Sequence, residues 1–428
     1  MTPTGPGPGK DGLAPGSCRT RGASPPLTLP VSCGAVVGVA EVGFKAERLA
    51  CALRAGLPVL PGFVVPVSAC REAVTAGRSA VRALGRSAGR VAVLAWPVDP
   101  DLETDLQAAV DELGGRVIVR SSSPLERDAV WAGAFSSVTG VGRDDVATAV
   151  RSCWGSAFAP DPLGRLEACG LGMEALELAI LLQPEISPEA GGVARTALSS
   201  GVTVEGVRGH PGPLLSGWAE GARDAELAAL IGERTVVDVA DVARRVYDEL
   251  GDDAIEWAVC DGKVWLLQAQ GNTPRPGPVA PSRATATAPP RVTSAPPGTL
   301  VAPTSLTARI QERGTQVAGR PAAPGMATGR LLRCRPHESV DCRDAILLVE
   351  RPVPALAPLL FGARGVISRA GAAGSHLAEV ARSLGVPMVT GCHPEAVTGP
   401  DPSGWSATVN GTTGEVTLLA DAVSPARG

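Results

Sequence analysis

Apolar and polar positions along this chain follow two periods, one near 3.6 and one of 2. In FKAERLACALRAGLPV, residues 44–59, apolar side chains recur at helical spacing until Gly56 and Pro58 end the run. GGRVIVRSSS, residues 114–123, reads as a short apolar strand closing on three serines, and LELAILLQPEI, residues 176–186, as a strand fit for burial. AIEWAVCDGKVWLLQAQ, residues 254–270, holds two alternating runs around Asp261-Gly262, which predicts a hairpin or an ordinary sheet edge. Downstream, AILLVE, ARGVISRAG, GVPMVTG and WSATVNGTTGEVTLL predict strands around one good helix, 376–384. On it Leu377, Val380, Ala381 and Leu384 share a stripe, and Gly385 and Pro387 stop it.

Residues 272–305 break this patterning: they are dense in Pro, Ala, Ser and Thr and show neither period. They predict a linker between a body at 31–271 and a smaller one at 306–422. At about 3.1 Å per extended residue it would reach on the order of 100 Å, so the two bodies need not stay docked. Residues 1–30, rich in Pro, Gly and Arg without an apolar core, predict a disordered leader and not a secretory signal. The expected fold class is α/β (α+β).

Composition narrows the class. At 428 residues the chain has room for two or three domains, and its net charge of −4 gives no basic excess for nucleic acid or an anionic membrane. Ten cysteines without a C-x-x-C pair suit reduced thiols in a cytoplasm, and no apolar run is long enough to span a bilayer. The expectation is a soluble cytoplasmic protein. Lys10, Lys45 and Lys263 are the only lysines, which singles out each as either a retained functional group or a survivor of coding bias.

His376 is one of only four histidines, set behind the small-residue loop AGAAGS and in the first turn of its helix. Free backbone N–H groups and the positive end of the helix dipole favour an anion there and disfavour imidazolium. A neutral imidazole is a nucleophile, and a phosphoryl group on it would be held by those amides. By the motif alone, His376 is either such a carrier or a residue that caps the first turn.

GAAGSHLAEVARSLGVPMVTG, residues 371–391, resembles the phosphohistidine motif of the PEP-utilising enzymes, G-G-x-T-S-H-x-A-x-x-A-R-x-x-G-I-P, at Ser375, His376, Ala378, Ala381, Arg382, Gly385 and Pro387. GRPAAPGMATGRLL and WSATVNGTTGEVTLL are similar to the start and end of that family's swivelling β/β/α domain. Upstream, VGFKAERLA, VIVRSSS, WAGAFSSVTGV, RSCWGSAF, LAILLQPEISPEAGGVART and IEWAVCDGKVWLLQAQ resemble, in order, segments of its ATP-grasp-like nucleotide domain. The resemblance implies phosphate-binding roles for Lys45 and Arg120, and a magnesium-side role for Glu256 and Gln268, whose oxygens suit that ion. It implies a hairpin with Glu256 and Gln268 on one face. Because a two-residue turn would put them on opposite faces, we expect an odd loop with Gly262 left-handed. Three departures stand out: Gly374 replaces the family's threonine, Gln270 replaces a phosphate-contacting arginine, and the Gly-rich G-L-G-E segment has no clear counterpart between Leu198 and Arg223, where Glu205 is the nearest acid.

The implied activity is dikinase-type phosphotransfer with ATP and magnesium. His376 takes the β-phosphoryl, AMP and phosphate leave, and a small-molecule acceptor is served, as in a compact phosphotransferase of specialised metabolism. That acceptor would sit on a separate protein or reach the cleft directly. The competing class is a degenerate nucleotide-binding regulatory protein, for which the loss of two phosphate-side elements argues.

Overall fold

The computed structural model describes residues 28–197, 201–271, 314–336, 338 and 340–420; the expected linker 272–305 and the leader to residue 27 lie outside the described residues. The fold mixes α and β throughout. Among the described residues of the first body, ten strands form two antiparallel sheets. One runs β1 (Leu29–Pro30), β2 (Phe63–Val65), β5 (Ala179–Pro184), β3 (Val117–Ser122), β4 (Ser137–Val141) in spatial order. The other runs β10 (Lys263–Gln270), β9 (Ala254–Cys260), β6 (Ala190–Ala197), β7 (Gly201–Arg208), β8 (Ala222–Arg223). Leu29 and Pro30, placed in the leader by the sequence, pair with Val64 and Phe63.

Strand β5 explains why LELAILLQ reads as an unbroken apolar run. Ile180 and Leu182 enter one core, Ala179 and Leu181 the other, and all four are fully buried. A strand covered on both faces cannot alternate. Each such Leu or Ile contributes roughly 1.5–3 kcal/mol by burial, so a charge at Leu181 would break the junction between the cores. The helices Val39–Arg54 and Glu233–Leu250 fill the second core through Leu49, Val239 and Val246, together with Trp257.

The second body is one mixed sheet in the order β11 (Thr315–Ala318), β18 (Glu415–Ala420), β17 (Trp405–Asn410), β13 (Met326–Cys334), β14 (Ala345–Val349), β15 (Gly365–Ser368), β16 (Met388–Thr390), β12 (Arg320–Ala323). The pairs β13–β14, β14–β15 and β15–β16 are parallel. The helix His376–Leu384 follows β15, with Ser375 Oγ accepting from Ala378 N at 3.4 Å and Gly385 closing it at φ 67°. Its apolar stripe does not stay within its own body. Leu377 and Val380, with Leu356 and Leu360, join the same buried cluster as Trp131 and Leu163 of the first body. The two bodies therefore meet over a shared apolar face, with the start of the His376 helix at its edge.

Candidate functional site

Lys45 is placed by a glycine. The Val39–Arg54 helix breaks at Gly43, φ 72°, where a Cβ would lie 2.0 Å from the Ser122 carbonyl oxygen, so no side chain fits. Beyond the break, Phe44 N donates to Ser123 O at 3.1 Å and Ala46 N to Ser122 Oγ at 3.1 Å. The serines that end β3 thus hold the segment carrying Lys45. Its Nζ reaches Glu126 Oε1 at 2.5 Å and Ser121 O at 3.4 Å. Glu126 is fixed by a capping box with Ser123, its Oε2 accepting from Ser123 N at 2.9 Å.

Arg120, on the same strand, ties the two sheets together. Its Nη1 donates to Leu267 O at 2.8 Å, its Nη2 to Gln268 Oε1 at 3.3 Å, and Glu256 Oε2 lies 3.7 Å from Nη2. The hairpin that carries these partners corrects the expected odd loop. Lys263 pairs with Cys260, so the turn has two residues, with Asp261 at φ 52° and Gly262 at φ 66°. Both are left-handed, as the common tight hairpin turn requires, and for Gly262 this was the expectation. The register shift comes further along: Leu266 faces Trp257, but Gln268 faces Glu256, leaving Leu267 as a bulge. The bulge puts Gln268 beside Glu256, the outcome for which the odd loop was invoked. The bulged Leu267 carbonyl is the one Arg120 takes.

His376 enters the same cleft from the second body. Lys45, Arg120, Glu256, Gln268 and His376 all line one open space of about 1210 Å³, counted to its mouth. The imidazole lies against Gly133, φ 65°, where a Cβ would be 2.7 Å from the ring Cδ2. The loop carrying Gly133 is clamped by buried Arg165, which donates through Nη1 to Val130 O at 2.7 Å and Ala132 O at 2.9 Å. Arg165 also pairs with Asp161 and reaches Pro354 O of the second body at 3.3 Å. Burial lowers the His376 pKa below its ordinary value; Glu256 opposes the shift, and Lys45, Arg165 and Arg120 reinforce it. The ring is held neutral, with a lone pair available.

The structure adds residues the sequence did not single out. His210, Pro211, Gly212, Leu215 and Ser216 form one wall of the cleft, within the stretch where no Gly-rich segment was recognised. The visible signal was Gly209 and Gly212 bracketing His-Pro between β7 and the short helix Gly212–Leu215. Gly133 and Gln183 also line the cleft. Gln270 stands beside His376 in a small hollow, and its buried Nε2 has no hydrogen-bond partner. Glu205 does not line the nucleotide cleft; it is buried and pairs with Arg223 at 2.8 Å.

The site is a cleft beside two antiparallel sheets, lined by Lys45 and Arg120 together with Glu126, Glu185 and Glu256, and entered from the second body by His376 at a helix start. Residues 39–210 match the AMP/ATP-binding domain of pyruvate phosphate dikinase, and residues 342–414 match the mobile domain of PEP-utilising enzymes. The chain belongs to the PEP-utilising enzyme family. It is 24% identical to a probable phosphoenolpyruvate synthase of Methanothermobacter thermautotrophicus over 83% of this chain and 58% of that protein. It is 25% identical to the prodigiosin synthesizing transferase PigC of Serratia marcescens over 60% of this chain and 34% of that protein. The matches thus span between about a third and three-fifths of these relatives. No helix among the described residues is long and apolar enough to cross a membrane.

Proposed function

We propose that this chain is an ATP-dependent phosphotransferase of the dikinase type, in which His376 accepts the β-phosphoryl of ATP and AMP and phosphate leave. The observation that carries this is a neutral imidazole in the same cleft as Lys45, Arg120, Glu256 and Gln268. Lys45 and Arg120 offer fixed charge to the triphosphate, and Glu126 positions the lysine. Attack by an imidazole nitrogen on phosphorus needs a free lone pair, which the lowered pKa supplies. Gln270, where the family has arginine, offers an unpaired amide donor in that neighbourhood: weaker than a guanidinium, but aimed at the same space.

Magnesium fits the donors present. Glu256 and Gln268 face each other across the ladder and both approach Arg120, while no group of three or more His, Cys, Asp or Glu among the described residues could hold a metal. Two protein oxygens suit an ion that takes its remaining ligands from phosphates and water. When bound, it would offset negative charge on the nucleotide.

A second reading, nucleotide binding that regulates a partner, is favoured by Gln270 and by the wall loop 209–216, which carries no acid. One experiment separates the two. Incubation with ATP labelled at the β-phosphate should leave acid-labile, base-stable label on the protein, and His376→Ala should abolish it while still binding ATP. Label from the γ-phosphate should be released. Retained γ-label would indicate an ordinary kinase, and no label despite ATP binding would establish the regulatory reading.

A further inference from the structure

A second cavity lies where the two bodies meet. It encloses about 910 Å³ to its mouth and shares no wall residue with the nucleotide cleft. The first body contributes Arg195, Thr203, Glu205 and Arg223; the second contributes Arg382 and Thr412. Three guanidiniums converge here. Arg195 and Arg382 share one carboxylate oxygen, Glu379 Oε1, the latter at 2.8 Å. Arg223 is held by Glu205. The three guanidiniums thus meet Glu379 and Glu205, and Asp253 also acts on Arg195 and Arg382. Burial and their mutual repulsion lower Arg195 well below its usual range and Arg382 to about 10.

The cavity adjoins the phosphohistidine loop through Gly374. That residue and Val193 line both the cavity and the small hollow that holds His376 and Glu379. A Cβ on Gly374 would stand 3.1 Å from Glu205 Oε2 and 3.3 Å from Val193 Cγ2. A threonine there, as in the motif this loop resembles, would crowd the boundary between the two spaces; glycine leaves it open.

We infer that this cavity binds the phosphoryl acceptor, a small hydroxyl compound carrying a carboxylate or phosphate, whose anionic group is gripped by Arg195, Arg223 and Arg382. This rests on the dikinase reading of His376. An acceptor hydroxyl oxygen bonds to phosphorus as the P–N bond breaks; the bonding pair returns to the imidazole nitrogen, which takes the hydroxyl proton. No co-reactant is needed. Arginine forks suit either oxyanion through paired N–H donors.

The test uses the full chain, loaded from β-labelled ATP and freed of nucleotide, then chased with glycerate, glycerol 1-phosphate or neutral glycerol. One or both anionic probes should discharge the label at least tenfold faster than glycerol, and the pair tells carboxylate from phosphate. Arg223→Gln should remove that acceleration, with loading of each variant measured before the chase. Equal discharge by glycerol and both anions, or acceleration intact in Arg223→Gln, would overturn the assignment. If the wild type takes no label, the dikinase reading fails instead. Ligand-observed NMR with the same probes then decides the cavity alone: binding lost in Arg223→Gln supports it, and binding that is absent or unchanged refutes it.

Discussion

At the scale of single residues, the site depends on which groups surround one imidazole. The folded pKa of His376 lies below that of an unfolded histidine, about 6.5, mainly through burial. As pH falls through that value, the unfolded chain takes up a proton that the folded chain refuses, so this group lowers stability on acidification and leaves it unchanged above neutrality. The lowered pKa also favours the neutral imidazole. Glu256 pulls the pKa upward. In an NMR titration of the four histidines, the signal lost in His376→Ala should titrate below about 6.5, and Glu256→Gln should move it further down. A His376 midpoint above that value, or an upward move in Glu256→Gln, would contradict the placement. The histidine, its helix and its capping serine were legible in the sequence because a cap, a stripe and a stop are all local. Gly133 was not, since its requirement arises from a ring 243 positions away in the chain.

At the scale of elements, the hairpin shows where local reading runs out. Asp261-Gly262 encodes its own turn, and the alternation on either side encodes two strands. Nothing in Leu267 encodes a bulge. Its displaced carbonyl has a partner only because β3, from the other sheet, brings Arg120 to it, and that contact spans the fold. The same bulge decides whether Gln268 joins Glu256. Arg120 should therefore be replaceable in charge but not in shape: Arg120→Lys keeps the cation and cannot hold the Leu267 carbonyl and the Gln268 amide together. Leaving such a group unpaired costs about 1–3 kcal/mol. Calorimetry should show ATP binding weakened at least tenfold, with thermal stability lowered; lysine binding ATP as well as arginine would mean the fork is not used.

At the scale of the molecule, the arrangement of the two bodies carries the chemistry. No contiguous stretch contains the Arg195, Arg223, Arg382 cavity; its walls come from four strands, a helix and three loops on both sides of the meeting face, so a sequence pattern could not reveal it. Its position also changes what the mobile body must do. If the acceptor sat on another protein, His376 would have to leave the nucleotide cleft and travel. On the proposal that the acceptor binds beside the Gly374 loop, both half-reactions would take place while the bodies remain docked. The docking contact at Trp218 and Arg351 allows this to be tested. Arg351 Nη1 donates to Trp218 O at 2.9 Å and its guanidinium stacks 5.4 Å from the indole centre, an exposed pair worth about 0.5–1 kcal/mol that can be replaced at little cost. Trp218→Cys with Arg351→Cys, joined by a short thiol crosslinker, fixes the bodies as observed, with crosslinker-treated wild type controlling for the native cysteines. The locked protein should still take β-label from ATP and still lose it faster to an anionic hydroxyl compound than to glycerol. Loading without discharge would show that the domain must swing to a distant acceptor, which would remove the cavity from the reaction.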